Sequence, residues 1–137
     1  MEFFHRLGTL TGRFWHERGY RLADFPAAAM RALTELPPNQ HVTLSDAVRW
    51  ALLEDPLPRQ HDMAGAFGQP PLTVYHWGRD FRIELLFWVT GVPVIHQHAF
   101  SGAFHVLHGS SLHTEWAFED EGTWPGAIRG GAGRRRR

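Results

Sequence analysis

Two histidines stand one residue apart in the apolar run Gly91-Val-Pro-Val-Ile-His96-Gln-His98. The run reads as a strand, and side chains alternate sides along a strand, so His96 and His98 share one face while Gln97 takes the other. Neutral imidazole is the commonest protein ligand of first-row metals. Two imidazoles with open positions suit Fe(II), with Zn, Ni or Cu as other divalent occupants. If that face lines a small barrel, both rings converge on one poorly hydrated point and make two thirds of a mononuclear site. The third ligand is not evident. His113, the sole histidine after Gly109, falls on the next predicted strand. The chain has no Cys, which excludes thiolate ligands, disulfides and a cysteine nucleophile. Ser101 and Ser110-Ser111 show no His and Asp arrangement that would activate them.

The elements that must position these residues change type midway. The first half reads as helix. Phe3, Leu7, Leu10 and Phe14 recur at helical spacing, with Gly8 and Gly12 working against it. Asp24-Phe-Pro26 offers a cap with proline early in a second helix, carried on by Ala27 to Leu36 and stopped by Pro37-Pro38. Thr43-Leu-Ser-Asp46 resembles a capping box. It opens a third helix whose stripe is Leu44, Ala47, Val48, Ala51 and Leu52, ending before Pro56. The stretch from Met63 to Pro71 reads as loop.

From Leu72 the pattern is that of strands. Leu72 to His76 is short and β-rich, Gly78-Arg-Asp80 makes a turn, and Phe81 to Thr90 alternates. Ile83, Leu85, Phe87 and Val89 lie on one side, and Arg82, Glu84, Leu86 and Trp88 on the other. Ala103 to Leu107 and Leu112 to Phe118 read as a hairpin joined through Gly109-Ser-Ser, and recognisable structure ends at Glu119-Asp-Glu-Gly. The expected organisation is a helical region over 1–71, barrel strands over 72–120 and a disordered Gly/Arg-rich tail over 121–137. Helices followed by consecutive antiparallel strands give an α+β order.

At 137 residues the chain has the size of one domain with a single core. All fourteen basic residues are Arg, which fits GC-rich coding DNA. Formal net charge is zero, but four of those arginines form the terminal run Arg134 to Arg137, so the rest is net acidic and offers no basic face for nucleic acid. The longest apolar run, Leu85 to Val89, is far below the ~20 residues that span a bilayer, and Met1-Glu-Phe-Phe-His lacks a signal peptide's charged start. A cytoplasmic location without membrane partners is the expectation. Six Trp and ten Phe are expected to fill the core and the helix–strand interface. His76 and Trp77, just before a turn, are outside candidates for a pocket.

Gly91 to Gly109 resembles the first motif of the cupin superfamily, a glycine followed by His-x-His, a carboxylate and a second glycine. More closely, Phe81 to Glu119 resembles the cysteine dioxygenase-like (thiol dioxygenase) branch. The residues carrying this are Arg82-Ile-Glu-Leu-Leu-Phe-Trp88, His96-Gln-His98 and Ser101-Gly-Ala-Phe-His-Val-Leu-His-Gly109, with Gly109 eleven residues beyond His98. Gly91 sits one residue nearer His96 than in the superfamily pattern. The motif's carboxylate position falls on Gly102, and thiol dioxygenases, which use three histidines, lack that carboxylate too. The branch's third histidine belongs to a second motif that this chain does not reach.

The resemblance implies a helical N-terminal region followed by an RmlC-like cupin β-barrel, a jelly roll incomplete at its C-terminus. It implies Fe(II) held by His96 and His98, and O2-dependent oxidation of a small thiol to a sulfinate. Arg82, Gly102, Phe104 and His108 are the substrate-side candidates. The motif count places Gly102, Phe104, Val106 and His108 inward and His105 outward. Open barrel edges would invite oligomerisation. The alternative expectation is a metal-free cupin serving as a small-molecule binding module, or a gene remnant, with residues from Thr123 onward arising from a shifted reading frame.

Overall fold

The computed structural model describes residues 1–60, 71–88 and 101–110, together with the backbone of 116–124 and 128–135. Among the described residues three helices precede the strands: α1 (Glu2–His16), α2 (Phe25–Glu35) and α3 (Leu44–Leu53), then the antiparallel pair β1 (Leu72–Trp77) and β2 (Phe81–Leu85). The order is α+β, as the sequence predicts. Short 3-10 turns at Leu22–Asp24 and Pro38–Gln40 join the helices. These elements and residues 101–109 form one compact unit. A separate unit holds β3 (Trp116–Trp124) and β4 (Ile128–Arg135).

Helix α1 survives its two glycines because they sit where the sheet comes closest. Gly8 and Gly12 are both buried. A methyl on Gly8 would overlap the Tyr75 ring, and one on Gly12 would stand 3.0 Å from the Trp77 indole. The helix thus gives up roughly 1 kcal/mol of propensity per glycine and gains close contact with the aromatic side of β1. It ends as the chain turns left-handed at Gly19 and Tyr20, with φ of 67° and 56°, and the Trp15 Nε1–H donates to the Arg21 carbonyl at 2.9 Å.

Helix α2 starts where Asp24 and Pro26 predict, but Asp24 does not cap it through its side chain; the carboxylate pairs with Arg21 at 2.6 Å. Its buried residues are Phe25 at the first position and, beyond it, the small side chains Ala28, Ala29 and Ala32. Helix α3 begins on the predicted capping box. Thr43 Oγ1 accepts from the Asp46 backbone N–H at 3.1 Å, and the Thr43 N–H donates to Asp46 Oδ2 at 2.9 Å. The helix is rotated from the expected stripe. Ala47 is fully buried, while Leu44, Val48 and Leu52 are exposed.

The core is the space between α1, α2 and the β1–β2 pair. Phe4, Leu7, Phe14, Trp15, Phe25, Val74 and Tyr75 fill it around the small faces of the helices. Aromatic side chains link helix to strand as expected, Phe25 to Phe81 at 5.2 Å and Trp15 to Phe81 at 6.3 Å, while Trp15 meets Phe25 between the helices at 5.0 Å and Trp77 stacks on Phe81 within the sheet at 6.0 Å. A register shift between Thr73 and Tyr75 lets Thr73, Val74 and Tyr75 all be buried in succession, which strict alternation forbids. The turn Gly78-Arg-Asp80 is where it was predicted, with Gly78 at φ 55°. β2 stops at Leu85, short of the expected Thr90; residues 86–88 keep its in-and-out alternation without pairing, and 89–90 lie outside the described residues.

The second unit takes in residues of the expected tail. Residues read as disordered beyond 120 pair along β3 and β4, from Trp116 opposite Arg135 to Trp124 opposite Ile128, with a register shift between Asp120 and Gly122. The sequence reading relied on alternating side chains, whereas backbone pairing needs only extended peptide groups, and Gly122 opposite Gly130 supplies those without a hydrophobic signature. Of the predicted hairpin of 103–107 with 112–118, residues 112–115 lie outside the described residues. Residues 103–107 are not in a strand, and Trp116–Phe118 pair with Gly133–Arg135. Among the described residues no helix is long and apolar enough to cross a membrane, and no closed barrel is formed.

Candidate functional site

His96 and His98, the metal-ligand candidates, lie outside the described residues, as does His113. The segment that follows the pair, residues 101–110, is described, and it reverses the expected facing. Ala103, His105 and Leu107 are half-buried, and Ala103 and Leu107 pack against the core cluster. Gly102, Phe104, Val106 and His108 are exposed. In an extended segment a shift of one residue exchanges the two faces completely. Phe104-His-Val-Leu107 gives both sets apolar members, so alternation alone could not choose between them. Contact of Ala103 and Leu107 with the core decides the matter, and His105 is carried inward.

The consequence is a buried imidazole nitrogen, Nε2 of His105, without a partner among the described residues. Buried polar atoms are nearly always satisfied, so each exception calls for a partner of some kind. Trp50 Nε1 and Thr73 Oγ1 share this condition. Asp24 Oδ2 is a fourth such atom, but it is held in the ion pair with Arg21 at 2.6 Å. The indole can only donate a proton and the hydroxyl is a poor match for a transition metal, so of the other three only the imidazole offers a lone pair to a first-row ion. No group of three or more ligating side chains comes together among the described residues.

The substrate-side candidates are not brought together. Arg82 is on the exposed side of β2, and its Nε donates to Glu84 Oε1 at 2.6 Å. Gly102 has open space around the position a Cβ would take, so crowding is not what calls for glycine there. Gly109 differs: its φ of 83° is left-handed backbone, which explains glycine at that motif position and the turn expected there. Two open depressions lie elsewhere, one of about 490 Å³ along Leu44, Val48 and Leu52, the other of about 330 Å³ between Arg13, His16, Tyr20 and Trp77. Neither includes Arg82, Gly102, Phe104 or His108.

His76 serves the fold. Its Nε2 lies 2.7 Å from the Arg59 carbonyl, which can only accept, so this nitrogen carries the proton. Beside it, the Gln60 amide accepts from the Thr73 N–H at 2.9 Å and donates to the Thr73 carbonyl at 3.0 Å. One side chain thereby satisfies the edge of β1 next to its register shift. Nothing in the local pattern of Arg59-Gln60 announces that role, because the partners are thirteen and seventeen residues away.

No protein-family model, curated protein or solved structure matches this chain.

Proposed function

We propose that this chain is a metal-binding oxygenase of the cysteine dioxygenase-like cupin type, with His96 and His98 as ligands of a divalent ion, Fe(II) foremost. One observation carries the reading: His96-x-His98 followed at eleven residues by Gly109, in a β-patterned half that follows helices. The α+β element order agrees with it, and so does the left-handed backbone that suits Gly109 to glycine. The proposal includes the finer architecture, a jelly-roll barrel around the histidines, and a cytoplasmic protein that acts on a small thiol and O2.

Bound Fe(II) supplies the oxygen chemistry, by which a thiol and O2 combine to a sulfinic acid with both oxygen atoms on sulfur. The protein's share is to orient the reactants and exclude water. Gly102, in place of a carboxylate, keeps the ligand set neutral and so favours an anionic thiolate. For Arg82 to hold a substrate carboxylate through its two-pronged guanidinium, it must first exchange Glu84 for the substrate. Anaerobic titration of the full chain with Fe(II) and Co(II) tests the reading. Stoichiometric binding that is lost in His96→Ala and His98→Ala, with oxygen uptake on adding thiols, is the expected result. Absence of binding in the wild type overturns it and leaves the metal-free binding module.

A further inference from the structure

We propose that the depression at the C-terminal end of α1 is a binding site for a small, flat aromatic carboxylate. It uses none of the residues of the His96/His98 reading and goes beyond it. The site lies wholly within the first compact unit. About 330 Å³ lies between Thr9, Gly12, Arg13, His16, Tyr20 and Trp77, room for a two-ring molecule. The aromatic sides are Trp77 and Tyr20. Trp77 is held in place, stacked on Phe81 at 6.0 Å and set against the backbone of Gly12, where a methyl would stand 3.0 Å from the indole. Glycine at position 12 is thus what lets the indole line the depression beside the helix.

Tyr20 is the second observation. Its φ of 56° is left-handed backbone, which a bulky residue enters at a cost that glycine largely escapes. The backbone there needs only an N–H, donated to the Trp15 carbonyl at 3.1 Å, and glycine supplies one equally well. The ring meets Trp15 and His16 edge-on, each at 5.3 Å, and still stands 48% exposed along the depression. A strained backbone that presents a half-exposed ring points to a use for the ring's open side.

Arg13 supplies the charge. Among the described residues its guanidinium meets the Phe14 ring, 5.1 Å from the centroid, and no carboxylate. Glu17, one turn on, is taken by Arg31 at 3.1 Å. The carbonyls of Arg13, Trp15 and His16, which would repel an anion at a helix C-terminus, already accept from Glu17, Tyr20 and Gly19. An arginine with its fork open beside two aromatic sides matches a planar carboxylate: the guanidinium takes the oxygens and the rings take the flat body. Thr9 and His16 add groups that can hydrogen-bond substituents on that body.

The test is a titration of the full chain with naphthoate, followed by proton–nitrogen NMR at the Trp77 indole N–H and the Gly12 amide. Saturable shifts at both are expected. The neutral analogue naphthamide is expected to bind about 10-fold more weakly, the size of one lost charged hydrogen bond. Arg13→Gln is expected to weaken naphthoate by a similar factor, and Tyr20→Gly, which keeps the left-handed backbone and removes the ring, by roughly 3–10-fold. Both residues are exposed, so these variants fold. Arg18→Gln removes an exposed arginine outside the depression and is expected to bind as the wild type does. Absence of saturable shifts overturns the proposal, as does equal affinity for naphthoate and naphthamide. Equal losses in Arg13→Gln and Arg18→Gln overturn it too, since they reduce the effect to general attraction of an anion by a basic surface. None of these outcomes touches metal binding by His96 and His98, which the Fe(II) titration tests separately.

Discussion

Helix α1 buries seven of its fifteen residues, whereas α3 buries Ala47 alone of its ten. Both carry apolar residues at helical spacing, and by pattern α3 is the cleaner of the two. The difference lies in where their small residues sit. Gly8 and Gly12 open a groove in α1 that receives Tyr75 and Trp77, and Phe4, Phe14 and Trp15 flank it to complete the core. In α3 the small residue Ala47 is the one that is buried, and Leu44, Val48, Leu52 and Leu53 stand 42–79% exposed. A stripe of large apolar residues therefore predicts that a helix forms. The smallest side chains decide which edge meets the core, because only they let two backbones come near.

That contrast can be broken most directly by truncating one large residue on each helix. Phe14, 1% exposed and with the Arg31 guanidinium 3.8 Å above its ring, is expected to lose about 3–5 kcal/mol as Phe14→Ala in urea unfolding. Next in size is Gly8→Ala. Helix propensity alone favours the alanine by roughly 1 kcal/mol, yet the overlap with Tyr75 is expected to destabilise by about 1–3 kcal/mol net of that gain. A stabilised Gly8→Ala would mean that Tyr75 does not lie in the α1 groove.

Thr43→Ala, which removes the α3 cap, is expected to cost about 1 kcal/mol in the same measurement. The capping box also gives α3 a pH dependence. The Thr43 hydroxyl, then the Thr43 backbone N–H, hold the Asp46 carboxyl below its ordinary value of 3.8. A depressed folded value means the contribution is complete above 3.8 and is lost as pH falls through the lower folded value. The stability gap between wild type and Asp46→Asn should close over that acid window and stay constant above it. The smallest effect belongs to Leu52→Gln, expected within ~0.5 kcal/mol of wild type; a loss of core size would show that the outer face of α3 is covered in solution.

The same contrast explains what was legible at the candidate site. The His-x-His spacing and Gly109 are local, and local patterns can be read. The facing of 101–110 is not local. Phe104 and Val106 are as apolar as Ala103 and Leu107, and only contact with the core selected the second pair and turned His105 inward. Arg82 shows the same limit, since its place among exposed residues could be read from alternation but its bond to Glu84 could not.

Sequence by itself determined the α+β order, the three helices, the capping box at Thr43 and the turn at Gly78, because caps, prolines, glycines and short-range periodicity act within a few residues. Tertiary structure alone decided the rotation of α3, the seating of Tyr75 and Trp77 on the glycines of α1, the bracing of β1 by Gln60 and the inward turn of His105. Each of these depends on which surfaces meet across long stretches of chain, and that is settled by the packing of whole faces, where small residues and backbone groups count as much as hydrophobic ones.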